Sequence, residues 1–545
     1  MPVRHIHSRI RRAGRRIIHW SVRFAGLSLL GCATTPSAAP GEDLFRHYEL
    51  ATGTARHQTV LTGFFRGGEN AELVVLHAGN GAHQLAMYGF GSSGWEEVAR
   101  APLRAGILFV DVARINGRDR LLTYETGRLS WFDPEAATER RIADLRIRFT
   151  RSGSPRIPHL DVTGDVNGDG LDDLVIPDLD GFWISTQNRD GSFSGLQQMG
   201  PAEPYLHEPG LTSAGIDQSR SYGDVGISEF TLPLYRDRLH AADIDQDGRR
   251  DLLFWNTDRF DVYRQDTSGS FSPVSHAISA DVPIDSEGIY SRTFDFSDDG
   301  VLSFLFGFNE KSRRTVLYAL RDLNGDGVAD LVTLTLAGRS LARQSSRYRV
   351  HFGAASTNGV TFDRDNSVEL KPRGRATGMQ PWGYASQSFR DFDADGDVDI
   401  MLRHVKIGFG GMGRALVGRS VALDLEFFRM TDGGYPAHPD ATRKIRPRLD
   451  LLGKAVFLPP VMLGDIDGDR RADLLVGKSS DELDIYRGVP GAGVFTRHPQ
   501  TVGVSLPNDE RNSWLAHLNR DGKKDLVVYH PSDTGPHRLI TLIAR

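Results

Sequence analysis

The chain has 545 residues, with 65 basic and 70 acidic side chains and a formal net charge of −5. That balance leaves no basic excess for a nucleic-acid backbone, so no nucleic-acid partner is expected. An apolar fraction of 39% with 59 glycines suits a turn-rich all-β protein better than a helical bundle. The single cysteine, Cys32, excludes an intrachain disulfide, a Cys-based zinc site and a dithiol redox motif.

The first residues are basic (Arg4, Arg9, Arg11, Arg12, Arg15, Arg16) and lead to a modest apolar run, Phe24–Leu30, followed by Gly31-Cys32. A charged stretch before a short apolar one has the form of a secretory signal, and the run is too short to span a bilayer. Leu29-Leu30-Gly31-Cys32 resembles the bacterial lipobox, whose cysteine is acylated and becomes the mature N-terminus; the alternative is a plain signal peptide with an incidental Cys. Ala33 in place of Asp after the cysteine implies, by that resemblance, sorting to the outer membrane. Residues 1–31 are therefore expected to be a lipoprotein signal peptide, 32–44 a flexible Pro-containing tether, and 45–545 the folded domain. No later stretch approaches the roughly 20 apolar residues of a membrane span.

Within that domain one nine-residue pattern recurs. Its first full copy, Asp165-Val166-Asn167-Gly168-Asp169-Gly170-Leu171-Asp172-Asp173, places oxygen-bearing side chains at positions 1, 3, 5 and 9 and Gly at position 6, and runs into Leu174-Val175-Ile176. Alternate positions of a turning loop can converge on a hard cation such as Ca²⁺, which takes about 6–8 oxygen ligands. The glycine permits a positive φ at the sharp turn. The pattern returns as Asp243, Asp245, Asp247, Gly248, Asp251; as Asp322, Asn324, Asp326, Gly327, Asp330; and as Asp391, Asp393, Asp395, Gly396, Asp399. Asp465, Asp467, Asp469 and Asp473 keep every acid but have Arg470 for the glycine. His517, Asn519, Asp521, Gly522 and Asp525 begin with His. Two worn copies precede them, Phe64–Glu72 and Val112–Arg120.

Eight starts spaced about 50 to 80 residues apart fit four-stranded propeller blades with variable loops. Each unit reads as a strand after the loop (Leu174–Pro177), a second (Phe182–Gln187), and a short aromatic strand after a Gly/Asp turn (Ser192-Phe193). No window carries a helical period. The last unit has only two strands after its loop, Leu526–Tyr529 and Arg538–Ala544, and Tyr48–Phe65 is positioned to supply the missing outer strands and close the ring. The expected fold is an all-β β-propeller of eight blades, with seven as the alternative.

The D-x-[DN]-x-D-G-x-x-D loops followed by apolar runs resemble the FG-GAP or VCBS repeats of integrin-α-type β-propellers, over about residues 60 to 545. The loops differ from an EF-hand in lacking a twelfth-position Glu and an exiting helix. The resemblance implies Ca²⁺ held at positions 1, 3, 5 and 9 with a backbone carbonyl from position 7: Leu171, Arg249, Val328, Asp397 and Arg471 in the five best copies. Four loops are expected to bind; the fifth binds more weakly, because Arg470 must take the turn conformation at roughly 1–2 kcal/mol. The sixth, with His517, is a poor candidate. The competing reading is Asp/Gly turns held only by side-chain-to-backbone hydrogen bonds, which leaves three or four clustered carboxylates in mutual repulsion.

No nucleophile elbow, zinc-ligand helix, phosphate loop or dinucleotide fingerprint appears, so no catalytic activity is expected. His159, His240 and His517 sit at loop starts and read as strand-end residues. The Tyr205–Phe230 insertion and the Gly408–Gly413 run are the candidate functional decorations. The expected function is a calcium-stabilised, envelope-anchored module binding an envelope or extracellular protein or polysaccharide, with membrane contact only through the lipid anchor. Two alternatives are a calcium-containing propeller polysaccharide lyase and a scaffold subunit of an envelope complex.

Overall fold

A computed structural model describes residues 44–545 except 80–81, 148–149, 152–155, 179–180, 201–225, 228–235, 237, 257, 288–312, 338–344, 357–358, 372–388, 406–422, 446–447, 450–455, 458 and 492. The signal and lipobox residues with Cys32, nearly all of the Tyr205–Phe230 insertion, and Gly408–Gly413 lie outside that set.

Eight blade sheets of the described chain form a ring, and two further two-stranded sheets pair Thr150–Arg151 with Gly226–Ile227 and Arg448–Leu449 with Val456–Phe457. Blade 1 is His57–Gly63, Glu72–Gly79, Ala82–Gly91 and Gly94–Leu103; blade 2 is Ile107–Ile115, Arg118–Glu125, Arg128–Asp133 and Thr138–Ala143. Blade 3 is Thr163–Gly164, Asp173–Asp178, Gly181–Ser185 and Gln197–Met199; blade 4 is His240–Ala242, Asp251–Asn256, Arg259–Tyr263 and His276–Ser279. Blade 5 is Arg313–Arg321, Asp330–Ala337, Ser345–Ser356 and Gly359–Leu370, with Ser286–Glu287 added in parallel to its first strand. Blade 6 is Phe389–Arg390, Asp399–Val405, Leu423–Phe428 and Ala441–Ile445; blade 7 is Val461–Gly464, Asp473–Gly477, Glu482–Tyr486 and Gln500–Gly503.

Blade 8 takes three strands from the C-terminus, Ser513–Ala516, Asp525–His530 and Arg538–Ala544, and its outermost strand from the other end of the domain, Phe45–Ala51. Phe45 pairs with Ala544 and Ala51 with Arg538 in one unbroken antiparallel register. This refines the expected closure. One strand is borrowed, not several, and His57–Gly63 belongs to blade 1.

The second strand of each blade explains its unbroken apolar sequence. Asp173–Asp178 and Asp251–Asn256 are buried at every position, because neighbouring sheets cover both faces. Apolar clusters fill each junction in turn. Leu73, Tyr88, Val527 and Leu539 join blades 1 and 8, while Leu85, Val110 and Leu121 join blades 1 and 2. Further clusters join 2 to 3 and 4, 4 to 5, 5 to 6, 6 to 7 and 7 to 8. Burying one such Leu, Val or Phe contributes about 1.5–3 kcal/mol, so the core is a closed chain of sheet-to-sheet interfaces.

The short aromatic segments are not fourth strands. Each closes the turn after the third strand with an isolated bridge: Gln187 to Phe193, Gln265 to Phe271, Gly488 to Phe495. Phe271 and Phe495 are buried as plugs, and the outer strand follows later.

Candidate metal centre on one rim of the ring

Antiparallel order places the turns after the first and third strands of a blade at one rim. The turns after the second strand and the links between blades emerge at the other. Every acidic loop joins a first strand to a second, so all lie on the same rim. There they tie neighbouring blades together. The N–H of loop position 8 donates to a carbonyl at position 1 or 2 of the preceding blade's loop: Ala71 to Leu518 at 2.9 Å, Asp119 to Phe64 at 3.4 Å, Val398 to Leu323 at 3.2 Å, Ala472 to Phe392 at 2.9 Å and Lys524 to Asp465 at 2.7 Å.

Position 9 is the most buried acid of each loop. Asp173, Asp251, Asp330, Asp399, Asp473 and Asp525 are 0–1% exposed. One carboxylate oxygen accepts the N–H of position 2 and the other an N–H from the exit of the third strand. For Asp330 these are Leu323 and Gly353, both at 2.9 Å; for Asp399 they are Phe392 at 2.8 Å and Met430 at 2.9 Å. Asp173 holds Val166 and Gln187, Asp251 holds Ile244 and Gln265, and Asp473 holds Ile466 and Gly488. Position 2 is always apolar and buried (Val166, Ile244, Leu323, Phe392, Ile466, Leu518), so one residue fills the core while its N–H is held by the acid. Burial pushes these carboxyls up against the opposing backbone hydrogen bonds, to about 7 for Asp399 and about 6 for the other five.

Position 1 turns the loop. Asp165 accepts N–H from Gly168 and Gly170, Asp322 from Gly325 and Gly327, Asp391 from Ala394 and Gly396, and Asp465 from Gly468 and Arg470. Asp243 does the same for Asp247 and Gly248. Position 5 (Asp169, Asp247, Asp326, Asp395, Asp469) accepts the N–H of position 7 (Leu171, Arg249, Val328, Asp397, Arg471). Arg470 holds φ at +72°, the left-handed conformation expected of it.

Carboxylates at positions 1, 3 and 9 converge within 4.8 Å of one another in three loops: Asp243, Asp245, Asp251; Asp391, Asp393, Asp399; and Asp465, Asp467, Asp473. Asp245 Oδ1 and Asp393 Oδ1 are buried and accept no hydrogen bond. An unpartnered buried carboxylate oxygen beside two other carboxylates costs free energy unless a cation meets it. These donor sets fit a hard cation. In the loops from Asp165 and Asp322 the third position is Asn, whose Nδ2 donates to Asp169 and Asp326 at 3.1 and 3.0 Å.

Three features lay beyond the sequence reading. The worn copy Phe64–Glu72 keeps its structural acid as Glu72, which is buried and accepts the N–H of Arg66 at 3.1 Å. Its sister Val112–Arg120 shrinks to a two-residue turn at Asn116-Gly117, both with positive φ, a strong hairpin signal. Position 4 also takes positive φ in the five acidic loops, with Gly at 168, 325 and 468 but Gln246 and Ala394 elsewhere. Of the histidines, His159 Nε2 lies 3.0 Å from buried Asp111 Oδ1, and His517 Nδ1 meets the Lys523 carbonyl at 2.8 Å.

The opposite rim carries a different chemistry. A cavity of about 430 Å³ lies where the closing strand leads into blade 1, lined by Thr52, Gly53, His77, Gln84, Tyr88, Glu97 and Arg100. His77 Nε2 is buried and unpartnered, and burial lowers the His77 pKa, aided by Arg100.

Fold and site together define the class: an eight-bladed β-propeller whose acidic loops ring one rim. No protein-family model matches the chain, and no curated protein sequence matches it. Many solved structures do. The Tc holotoxin pore of Photorhabdus luminescens is 15% identical with a TM-score of 0.28, covering 84% of this chain, which spans only 18% of that one. The Dos1 propeller is 9% identical (TM-score 0.33, covering 92% and 94%). The Nup133 β-propeller domain of Vanderwaltozyma polyspora is 7% identical (TM-score 0.33, covering 92% and 98%). Identities this low bear on fold alone, and the strand pairing already settles that. Among the described residues no helix is long and apolar enough to cross a membrane.

Proposed function

We propose that the chain is a calcium-stabilised propeller of the FG-GAP or VCBS type that works as a binding module, tethered to the bacterial envelope through Cys32 and presenting one rim to an extracellular or envelope protein or polysaccharide. The observation that carries this reading is a division between the rims. On one, seven of the eight loops between first and second strands keep one length, and position-8 hydrogen bonds tie five of the eight to the loop before, which leaves little for a partner to select. On the other, the links between blades vary widely in length, from Leu103–Ile107 to Met199–His240 and Ser279–Arg313, and a polar cavity opens at the link from blade 8 into blade 1. Variable loops on a rigid scaffold are where binding is placed.

Calcium, where bound, would be held by Asp243, Asp245 and Asp251, by Asp391, Asp393 and Asp399, by Asp465, Asp467 and Asp473, and by the acids and Asn of the loops from Asp165 and Asp322. It would neutralise those carboxylates and stiffen the joints between blades. A glycan array and a pull-down with the folded domain, each with and without calcium, test the reading. Specific capture, reduced by substitutions in the cavity but not by those on the acidic rim, supports it. No partner under either condition, or capture through the acidic rim, argues against it. Replacing Cys32 with Ser should release the protein from membranes; retention would refute the anchor.

A further inference from the structure

The acidic loops are not equivalent, and we infer that arginines from the blades themselves set which of them takes a divalent cation. The inference rests on the calcium reading above and ranks its sites. At the exit of the third strand, one residue before the N–H that position 9 accepts, blades 4, 6 and 7 carry Arg264, Arg429 and Arg487. These are the blades whose loop position 3 is Asp. Blades 3, 5 and 8, whose position 3 is Asn, have Thr186, Phe352 and Ile543 there.

The pairing is direct. Arg429 Nη1 lies 2.8 Å from Asp393 Oδ2 and Arg264 Nε 3.4 Å from Asp245 Oδ2, while Arg487 pairs with Asp467 and reaches 3.6 Å from Asp473 Oδ2. The guanidinium takes Oδ2 and leaves Oδ1 of Asp245 and Asp393 unpartnered. Two loops then carry a second guanidinium, since Arg249 and Arg471 at position 7 fold onto Asp247 and Asp469.

The loops therefore differ in charge. Those from Asp243 and Asp465 set four carboxylates against two guanidiniums. Among the described residues, those from Asp165 and Asp322 set three ligand carboxylates against no arginine of their own blade, with Asp172 beside the first, although Arg250 of the next loop reaches 3.9 Å from Asp165 Oδ2. Among the described residues the loop from Asp391 sets four ligand carboxylates and Asp397 against one guanidinium, that of Arg429. Calcium affinity follows ligand charge, and a fixed cation a few ångströms away opposes a second. The loop from Asp391 is the tightest calcium site, those from Asp165 and Asp322 follow, and those from Asp243 and Asp465 are held together by their own arginines. Counting carboxylates alone would rank the Asp243 loop equal first.

Equilibrium dialysis with radiolabelled calcium on the folded domain counts tight ions, and hydrogen exchange in EDTA reads each loop separately. The wild type should bind three tight ions, and chelation should unprotect the loops from Asp391, Asp165 and Asp322 while sparing the other two. Arg249→Gln with Arg264→Gln should add one tight ion. Asn167→Asp, which exchanges the Nδ2 hydrogen bond to Asp169 for a fourth ligand carboxylate, should tighten one site by roughly tenfold without changing the count. Five equivalent sites, or an unchanged profile in both variants, would overturn the ranking. A wild type that binds no calcium at all would overturn the calcium reading itself, and the ranking with it.

Discussion

The carboxylate of Asp525 accepts the N–H of Ala544 at 2.8 Å, tying the last acidic loop to the final residues of the propeller. Its second oxygen accepts the N–H of Leu518, also at 2.8 Å. This loop begins with His517 and is a poor metal candidate, so it isolates the structural duty of position 9. Asp525→Ala should cost about 2–6 kcal/mol, roughly 1–3 for each buried donor left unpaired. Urea unfolding should show the same loss with calcium and with EDTA. A loss confined to the calcium-loaded protein would contradict the structural role.

Metal removal makes the converse prediction. If Asp393 and its partners hold calcium, EDTA should lower the thermal midpoint and added calcium restore it. Each site adds about 2.7 kcal/mol when the ion is at a hundred times its dissociation constant. Asp393→Asn should shrink that increment, and because it also removes the charge that Arg429 pairs with, it should lower the EDTA midpoint as well. A midpoint indifferent to EDTA would sink the proposal.

Backbone strain in the loops is open to repair. Arg470 and Ala394 sit at φ +72° and +65°, where a side chain costs about 1–2 kcal/mol. Glycine relieves that strain but adds unfolded-chain freedom worth roughly 0.5–1 kcal/mol. The strain term is the larger, so Arg470→Gly and Ala394→Gly should each stabilise by about 0.5–1 kcal/mol in urea melts. Destabilisation would show that Arg470 contributes more through contacts than it loses in conformation.

Acidification should loosen the seam where the ring closes. Burial lowers the pKa of His77, His530 and His537 below the ordinary 6.5, with Arg100 opposing the His77 charge and Arg538 that of His530. The unfolded chain then binds more protons than the folded one as pH falls below 6.5. The three histidines thus favour the fold fully above that value and progressively less beneath it, until the folded pKa values are passed. Over the same range the six position-9 aspartates, with folded pKa values of about 6–7 against the ordinary 3.8, take up protons in the folded state and favour the fold as pH falls. The histidine contribution is therefore read as a difference: in EDTA, His77→Gln with His537→Gln should raise the thermal midpoint at pH 5 relative to that at pH 7, compared with the wild type. An unchanged slope would assign the acid sensitivity elsewhere.

Closure itself can be tested by removing the borrowed strand. Without Phe45–Ala51, the edge of Arg538–Ala544 loses a continuous seven-residue ladder, and an unpaired edge invites association with other chains. Deletion should lower stability and promote aggregation on size-exclusion chromatography; a monomer of unchanged stability would deny the seam its role.

Much of this was legible along the chain because the information is local. The pattern of acids and glycine at fixed spacing marks the turn between a blade's first and second strands. The apolar run after it marks a strand covered on both faces, as Leu252, Leu253 and Phe254 show. Outer strands such as Gln197–Met199 and His276–Ser279 were missed because they are short and largely exposed, with no apolar signature. The aromatic plugs Phe271 and Phe495 drew attention in their place, being buried without belonging to a strand. Arg264, Arg429 and Arg487 carry no recurring local motif, since the longer segment between Val405 and Leu423 in blade 6 breaks their spacing from the loop.

By itself the sequence determined that the protein is a ring of repeated β-units with acidic joints, because those features are written in residues close to one another. Only the tertiary structure decided which end closes the ring, which acids staple backbone while others are left open to a cation, and which arginines already neutralise them. Those matters depend on contacts between residues far apart in the chain, and a guanidinium acts on whichever carboxylate the fold brings within a few ångströms.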